Sequence, residues 1–193
     1  MIGVKVNKLE IAPHMLYRAA KSYVQAEDDF DYIQAILLAG SAMYICEPLL
    51  KEQGKKSQAI LRAERVTKLR EAKSKMVNNK LEIEWGAKPI TNKEKREIRK
   101  FVREEDRKVY NSLKHAGFFS QGNVVKKASD DLDMVDVLGD NLDFRSAAEE
   151  IIIDAIQDYK TLDFNGGFKP YDLPIEIRRV INCIFLEDAF EEA

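Results

Sequence analysis

The residues best suited to chemistry lie in the stretch 110–115, which reads Tyr-Asn-Ser-Leu-Lys-His. His115 is one of two histidines in the chain, and Asn111 lies four positions before it. Arg107 and Arg103 continue the four-residue spacing backwards. Residues four apart lie on one face of an α-helix. A continuous helix here would therefore align two guanidinium groups, an amide and an imidazole along one stripe.

Those side chains are the ones that metal-independent RNA cleavage needs. Histidine titrates near neutral pH and can act as the acid or the base. The planar fork of arginine suits a phosphate, and an asparagine one turn before the histidine can orient the ring. We therefore assign His115 to acid–base chemistry, Asn111 to orientation and Arg107 to phosphate binding.

The same helix offers further groups for contact with nucleic acid. These candidate nucleic-acid-binding residues are Arg103, Lys114 and Tyr110. The competing interpretation is that the whole stripe is a solvated helix face, because charged helices carry such residues frequently.

No metal or cofactor is expected from the sequence. Asp130, Asp131 and Asp133 lie close together, but the run lacks the glycine and the final glutamate of an EF-hand loop. A turn or helix cap explains it better. Cys46 and Cys183 are isolated thiols in apolar surroundings, so buried reduced cysteine is the preferred interpretation.

The composition indicates a helical protein with long solvated faces. Apolar residues make up 45% of the 193 residues and charged residues 33%. No apolar run reaches the roughly 18 residues that span a bilayer, and the first ten residues lack the apolar segment of a signal peptide. We therefore expect no membrane span and a cytoplasmic location.

Charge is distributed unevenly, although the net charge is only −2. Residues 51–115 hold 20 basic and 10 acidic groups, whereas residues 116–193 hold 7 and 17. The basic segment could attract nucleic acid or nucleotides. Alternatively, basic helices pack against acidic ones within the fold or across a dimer. The sequence leaves both explanations open.

Apolar periodicity predicts an all-α bundle of about six helices, with no strands. The segments lie at about 8–26, 30–53, 56–78, 92–116, 144–164 and 174–190. Gly40, inside a small-residue patch, predicts a close approach by another helix, and Pro48 predicts a kink or break. Trp85 is expected to be packed, and Phe101 to lie on a buried side.

Three motifs in this order resemble those of HEPN domains. They are Leu-Ala-Gly-Ser-Ala at 38–42, Asn-Ser-Leu-Lys-His at 111–115 and Ala-Ile-Gln-Asp-Tyr at 155–159. The resemblance covers about residues 8–163 of a single domain 1–193, leaving 164–193 as a C-terminal helical extension. It implies a helical bundle, a homodimer with a shared cleft, and either metal-independent ribonuclease activity or binding of RNA or nucleotides.

Two positions depart from the HEPN pattern. Tyr110 stands where the family has arginine, and Met43-Tyr44 stands where related proteins carry acidic residues. We therefore expect a degenerate HEPN-like protein that binds RNA, a nucleotide or a protein partner without efficient cleavage. The alternatives are an active ribonuclease of a defence or toxin–antitoxin system, and a purely structural partner-binding bundle.

Overall fold

A computed structural model describes residues 7–77, 80–114, 120–121, 124–125, 143–164 and 169–190. The chain divides into two compact units. The first unit comprises Met1–Lys55 and Lys108–Ala193, and the second unit comprises Lys56–Arg107. The second unit is thus an insertion in the sequence of the first.

Helices dominate the first unit. Its helices are α1 (Lys8–Val24), α2 (Asp29–Glu52), α5 (Lys108–Lys114), α6 (Phe144–Thr161) and α7 (Ile175–Asn182), with 3-10 turns at Pro170–Asp172 and Glu187–Ala189. Two short strands, β3 (Ser120–Gln121) and β4 (Val124–Val125), pair antiparallel. With the two helices of the second unit, the described residues form seven α-helices, which confirms the predicted all-α bundle.

Side-chain caps fix the starts of the main helices. The Asp28 carboxylate, in the acidic cluster at 27–29, accepts from the backbone N–H groups of Phe30 and Asp31 at the start of α2. Asp143 caps α6 through the N–H of Ser146. These caps satisfy amides that the helices themselves leave unpaired.

One apolar core holds the first unit together. Helix α2 packs against α1 and α6, and α1 packs against α7. The largest fully buried apolar side chains are Leu16, Ile36, Leu50, Ile152, Tyr159 and Val180. Burying a side chain of this size stabilises the fold by about 1.5–3 kcal/mol.

Helix α2 lies at the centre of this core. By length and composition it could cross a membrane, but its buried residues pack inside the unit as those of a soluble protein's core helix do. It also continues through Pro48 to Glu52, so the predicted break is not found. The buried side chains of Cys46 and Leu50 hold the helix on both sides of the proline.

The second unit contains two helices and a hairpin. These are α3 (Gln58–Glu71), β1 (Lys73–Val77), β2 (Lys80–Glu84) and α4 (Asn92–Asp106). Thr91 and Glu94 form a capping box at the start of α4. Its buried apolar cluster is small, namely Ala63, Ile98 and Val102, with Val66 and Ile90 packed beside it.

Several predictions for this region are wrong. Helix α3 ends at Glu71, and residues expected to be helical form β1 of an antiparallel hairpin instead. Trp85 and Phe101, both expected to be packed, are 59% and 61% exposed. Phe101 is on α4 but outside the buried cluster of Ile98 and Val102, and Trp85 follows β2 and belongs to neither helix, so both side chains stay in solvent.

The helices predicted at 92–116 and 174–190 are also shorter than expected. Helix α4 ends at Asp106, Arg107 takes φ −109° and ψ 0°, and α5 begins at Lys108. Helix α7 ends at Asn182, and a 3-10 turn follows. The four-residue stripe from Arg103 to Asn111 is therefore not part of one continuous helix.

Candidate functional site

The site is built where α5 packs on α2. Tyr110 is 3% exposed, and its ring lies directly over Gly40. A Cβ atom on Gly40 would come within 2.1–2.6 Å of three ring atoms of Tyr110. The small-residue patch thus permits the close approach that the sequence predicted, and the approaching group is an aromatic ring.

A hydrogen bond fixes the far end of that ring. The Ser41 hydroxyl donates to the Leu37 carbonyl at 2.7 Å, and its oxygen lies 3.3 Å from the Tyr110 hydroxyl. Because serine has one hydroxyl proton, Tyr110 is the donor to Ser41. The ring of Tyr110 is therefore held at both its face and its hydroxyl.

A second tyrosine extends this arrangement towards solvent. Tyr44, one turn after Gly40 on α2, is 38% exposed, and its ring centroid lies 5.3 Å from that of Tyr110. The Tyr44 hydroxyl donates to the Asn111 side-chain carbonyl at 3.0 Å. This bond holds the Asn111 amide in one orientation, with its NH₂ group as the remaining hydrogen-bond donor.

Lys114 adds a cation to the two rings. Its ammonium nitrogen lies 5.1 Å from the Tyr44 ring centroid and 5.5 Å from that of Tyr110. Both distances lie within the roughly 6 Å range of cation–π attraction. The exposed lysine thus places its charge over the aromatic pair.

Together these residues form what we call the tyrosine–lysine surface: Gly40, Ser41, Tyr44, Tyr110, Asn111 and Lys114. It presents an aromatic ring, an amide donor and a cation side by side. A nucleotide offers matching groups, since a base can stack on the ring and a phosphate can accept from ammonium and amide.

Arg103, Arg107 and His115 were also predicted to belong to the site. Arg107 and Arg103 belong to the second unit, where Arg107 is 8% exposed and Arg103 is exposed. His115 lies outside the described residues, as does the aspartate run at 130–133. The structure therefore brings together Tyr110, Asn111 and Lys114 from the predicted set.

Sequence reasoning noticed Tyr44 only as a departure from the HEPN pattern. Its role in the surface follows from its position one turn after Gly40, which places both residues on the face of α2 that meets α5. That spacing was visible in the sequence. The identity of the facing helix was not, because nearly seventy residues separate Tyr44 from Asn111.

The thiols and one further tyrosine of the first unit lie in or against its core: Cys46 and Tyr159 are buried, and Cys183 is partly buried. Burial, and to a smaller extent the nearby Asp158 carboxylate, raises the pKa of the Cys46 thiol to about 12. Burial also raises the pKa of Cys183 and of Tyr159, whose hydroxyl donates to the Leu9 carbonyl. Within the described part of the chain, no three His, Cys, Asp or Glu side chains cluster as metal ligands would.

Comparison of the chain with protein-family models, with curated proteins and with solved structures gives no match.

Proposed function

We propose that the protein binds single-stranded RNA at the tyrosine–lysine surface without cleaving it efficiently. The observation that carries this proposal is the position of Lys114, with its ammonium 5.1 Å and 5.5 Å from two tyrosine rings. An aromatic ring beside a cation suits a base and its adjoining phosphate.

The partial exposure of Tyr44 supports base stacking. With 38% of its surface exposed and its hydroxyl bonded to Asn111, its ring is both accessible and fixed in orientation. A fixed ring loses little conformational entropy when a base stacks on it. Stacking on an aromatic side chain contributes about 1–3 kcal/mol per base.

The second unit supports attraction of a polyanion. Residues 56–107 hold 16 basic and 9 acidic groups, a net charge of +7. Trp85 and Phe101 are exposed there as further aromatic surfaces. A basic region of this kind raises the local concentration of nucleic acid and makes binding depend on salt.

The burial of Tyr110 supports the absence of efficient cleavage. The HEPN resemblance places the phosphate-binding arginine at this position. Here the side chain is a buried ring packed on Gly40, bonded to Ser41 and uncharged at neutral pH. The position contributes to packing and offers no guanidinium fork to a scissile phosphate.

Fluorescence polarisation with a labelled single-stranded RNA tests the proposal. We expect Tyr44→Ala to weaken binding about tenfold through lost stacking. Lys114→Gln should reduce the slope of the logarithm of the binding constant against the logarithm of salt concentration by about one. Lys160→Gln, an exposed lysine on α6, is the matched control and should bind as the wild type does. Equal binding by all four proteins would refute the surface as the site.

A cleavage assay with the same RNA separates the alternatives. Under the proposal the wild-type chain and His115→Ala leave the RNA intact. Cleavage by the wild type that His115→Ala abolishes would instead establish the active ribonuclease. No salt-dependent RNA binding at all would favour a structural bundle that binds protein partners.

A further inference from the structure

We propose that the outer edge of β2 pairs antiparallel with β2 of a second copy of this chain, centred on Glu82. The hairpins of two copies would then form one four-stranded sheet, with the order β1-β2-β2-β1. This inference rests on the second unit alone and does not depend on RNA binding.

The hairpin has two chemically different faces. Met76 lies opposite Leu81, and Ser74 opposite Ile83, so these four side chains share one face. The other face carries Lys73, Lys75, Val77, Lys80, Glu82 and Glu84. Met76, Leu81 and Ile83 are 66%, 63% and 47% exposed, which leaves the apolar face uncovered.

The edge of β2 is accessible. All five residues of the strand are exposed, and within the described residues its strand partner is β1 alone. The outward backbone groups of such an edge strand can pair with another strand. An isolated two-stranded hairpin is marginally stable in water, and more strands stabilise it.

The sequence of β2 is complementary to itself when read in the reverse direction. In an antiparallel pairing centred on Glu82, Lys80 of each copy lies opposite Glu84 of the other. Leu81 lies opposite Ile83 on the apolar face. The two Glu82 side chains meet at the centre, and each already has Lys75 of its own copy at 3.5 Å. Opposite charges and apolar pairs at facing positions stabilise a sheet.

Other pairings of the hairpin are less favourable. Shifting β2 by two residues in one direction places Glu82 opposite Glu84 and loses the lysine pairs. An antiparallel pairing of β1 with β1 would place Lys75 opposite Lys75. Like charges at facing positions destabilise a sheet; the β2 pairing has one such pair, at Glu82, but gains two Lys80–Glu84 pairs, whereas the β1 pairing offers no opposite charges. Shifting β2 by two residues in the other direction places Lys80 opposite Glu82 and Leu81 opposite Leu81, but pairs only three residues of the strand. The centred register pairs all five residues of β2 and is the one that places Glu84 opposite a lysine.

A charge-swap series measured by sedimentation equilibrium tests the interface. We expect a wild-type dimer, and a dissociation constant raised about tenfold by Lys80→Glu or by Glu84→Lys, because two ion pairs become repulsive in each case. The double variant Lys80→Glu with Glu84→Lys restores facing opposite charges and should return the dissociation constant close to the wild-type value.

Two controls keep the result interpretable. Lys93→Glu changes an 86% exposed lysine on α4 by the same charge and should leave the dissociation constant unchanged. Far-ultraviolet circular dichroism of each variant establishes that it is folded. A monomeric wild type at about 100 µM, a dimer insensitive to the single swaps, or a double variant no better than the singles would each overturn the proposal.

Discussion

The ring of Tyr110 occupies the space that a side chain on Gly40 would need, with the closest ring atom 2.1 Å from the Cβ position. The two residues belong to helices α2 and α5, which meet at the tyrosine–lysine surface. The size of residue 40 therefore determines whether α5 can pack as it does.

Gly40→Ala should destabilise the protein although alanine favours a helix by about 1 kcal/mol. Forcing the Tyr110 ring aside is overpacking, which costs about 1–3 kcal/mol. Urea unfolding measures the difference. In a Tyr110→Ala background the space is open, so the same Gly40→Ala change should be stabilising. A Gly40→Ala single variant as stable as the wild type would contradict this packing.

Asp106→Ala should loosen the second unit and leave the first unit unchanged. The Asp106 side chain is 7% exposed and accepts from Arg62 at 2.5 Å within that unit. Losing a buried charge-assisted hydrogen bond costs about 1.5–3 kcal/mol. Amide hydrogen exchange should therefore accelerate in α3, α4 and the hairpin.

The control for that experiment is Lys93→Ala, which removes a 4.0 Å pair with Glu97 between exposed side chains. Such pairs contribute little, so its exchange should match that of the wild type. Equal acceleration in α1, α2 and α6 would show that Asp106 supports the whole chain and not the second unit alone.

Asp143 should make stability fall in acid. The Ser146 N–H and hydroxyl lower the pKa of the Asp143 carboxyl, so the folded state binds its proton less readily than the unfolded state does. The resulting stabilisation is present above the unfolded pKa of about 4 and is lost as pH falls through the lower folded pKa.

Asp143→Asn isolates that effect, because asparagine caps a helix about as well but does not titrate here. We expect the wild type to have a higher melting temperature than Asp143→Asn at about pH 6, and this difference in melting temperature to shrink at about pH 2.5. Melting temperatures followed by circular dichroism give the comparison. A gap that grows as pH falls would mean the reverse sign of linkage.

Cys46 should be unreactive in the folded protein. Its thiol is buried in the core, and its pKa is raised to about 12, so almost no thiolate is present at neutral pH. An aromatic disulfide reagent at about pH 8 should label Cys46 only after unfolding in guanidinium. The Cys46→Ala variant keeps only the Cys183 thiol, so comparing it with the wild type identifies which cysteine reacts. Rapid labelling of Cys46 in the native state would disprove its burial.

Local signals in the sequence predicted what depends on neighbours a few positions away. The caps at Asp28 and Thr91 can be read from the sequence because a cap involves only the next three residues. The close approach at Gly40 was predicted for the same kind of reason. Its partner, Tyr110, was not, because seventy residues separate the two and no local rule pairs them.

The hairpin was missed because two periodicities compete in its sequence. Leu69 and Met76 are seven apart, which fits a helix that continues through 73–77, and lysine favours helices. The alternation Lys-Leu-Glu-Ile-Glu at 80–84 is typical of a strand, but it is only five residues long, and no strand was predicted there. Phe101 was misplaced for another reason: helical periodicity gives a face, but only tertiary structure decides whether that face is covered.

The order of the helices along the chain also has a consequence for synthesis. Helix α2 ends at Glu52, and its packing partner α6 begins at Phe144, so about ninety residues are made between them. At a synthesis rate of about 5–20 residues per second, roughly 5–20 s pass between the synthesis of α2 and that of α6. The second unit, which is continuous in sequence, can complete its own contacts during that interval, while the apolar surface of α2 is the one that a nascent-chain chaperone would meet.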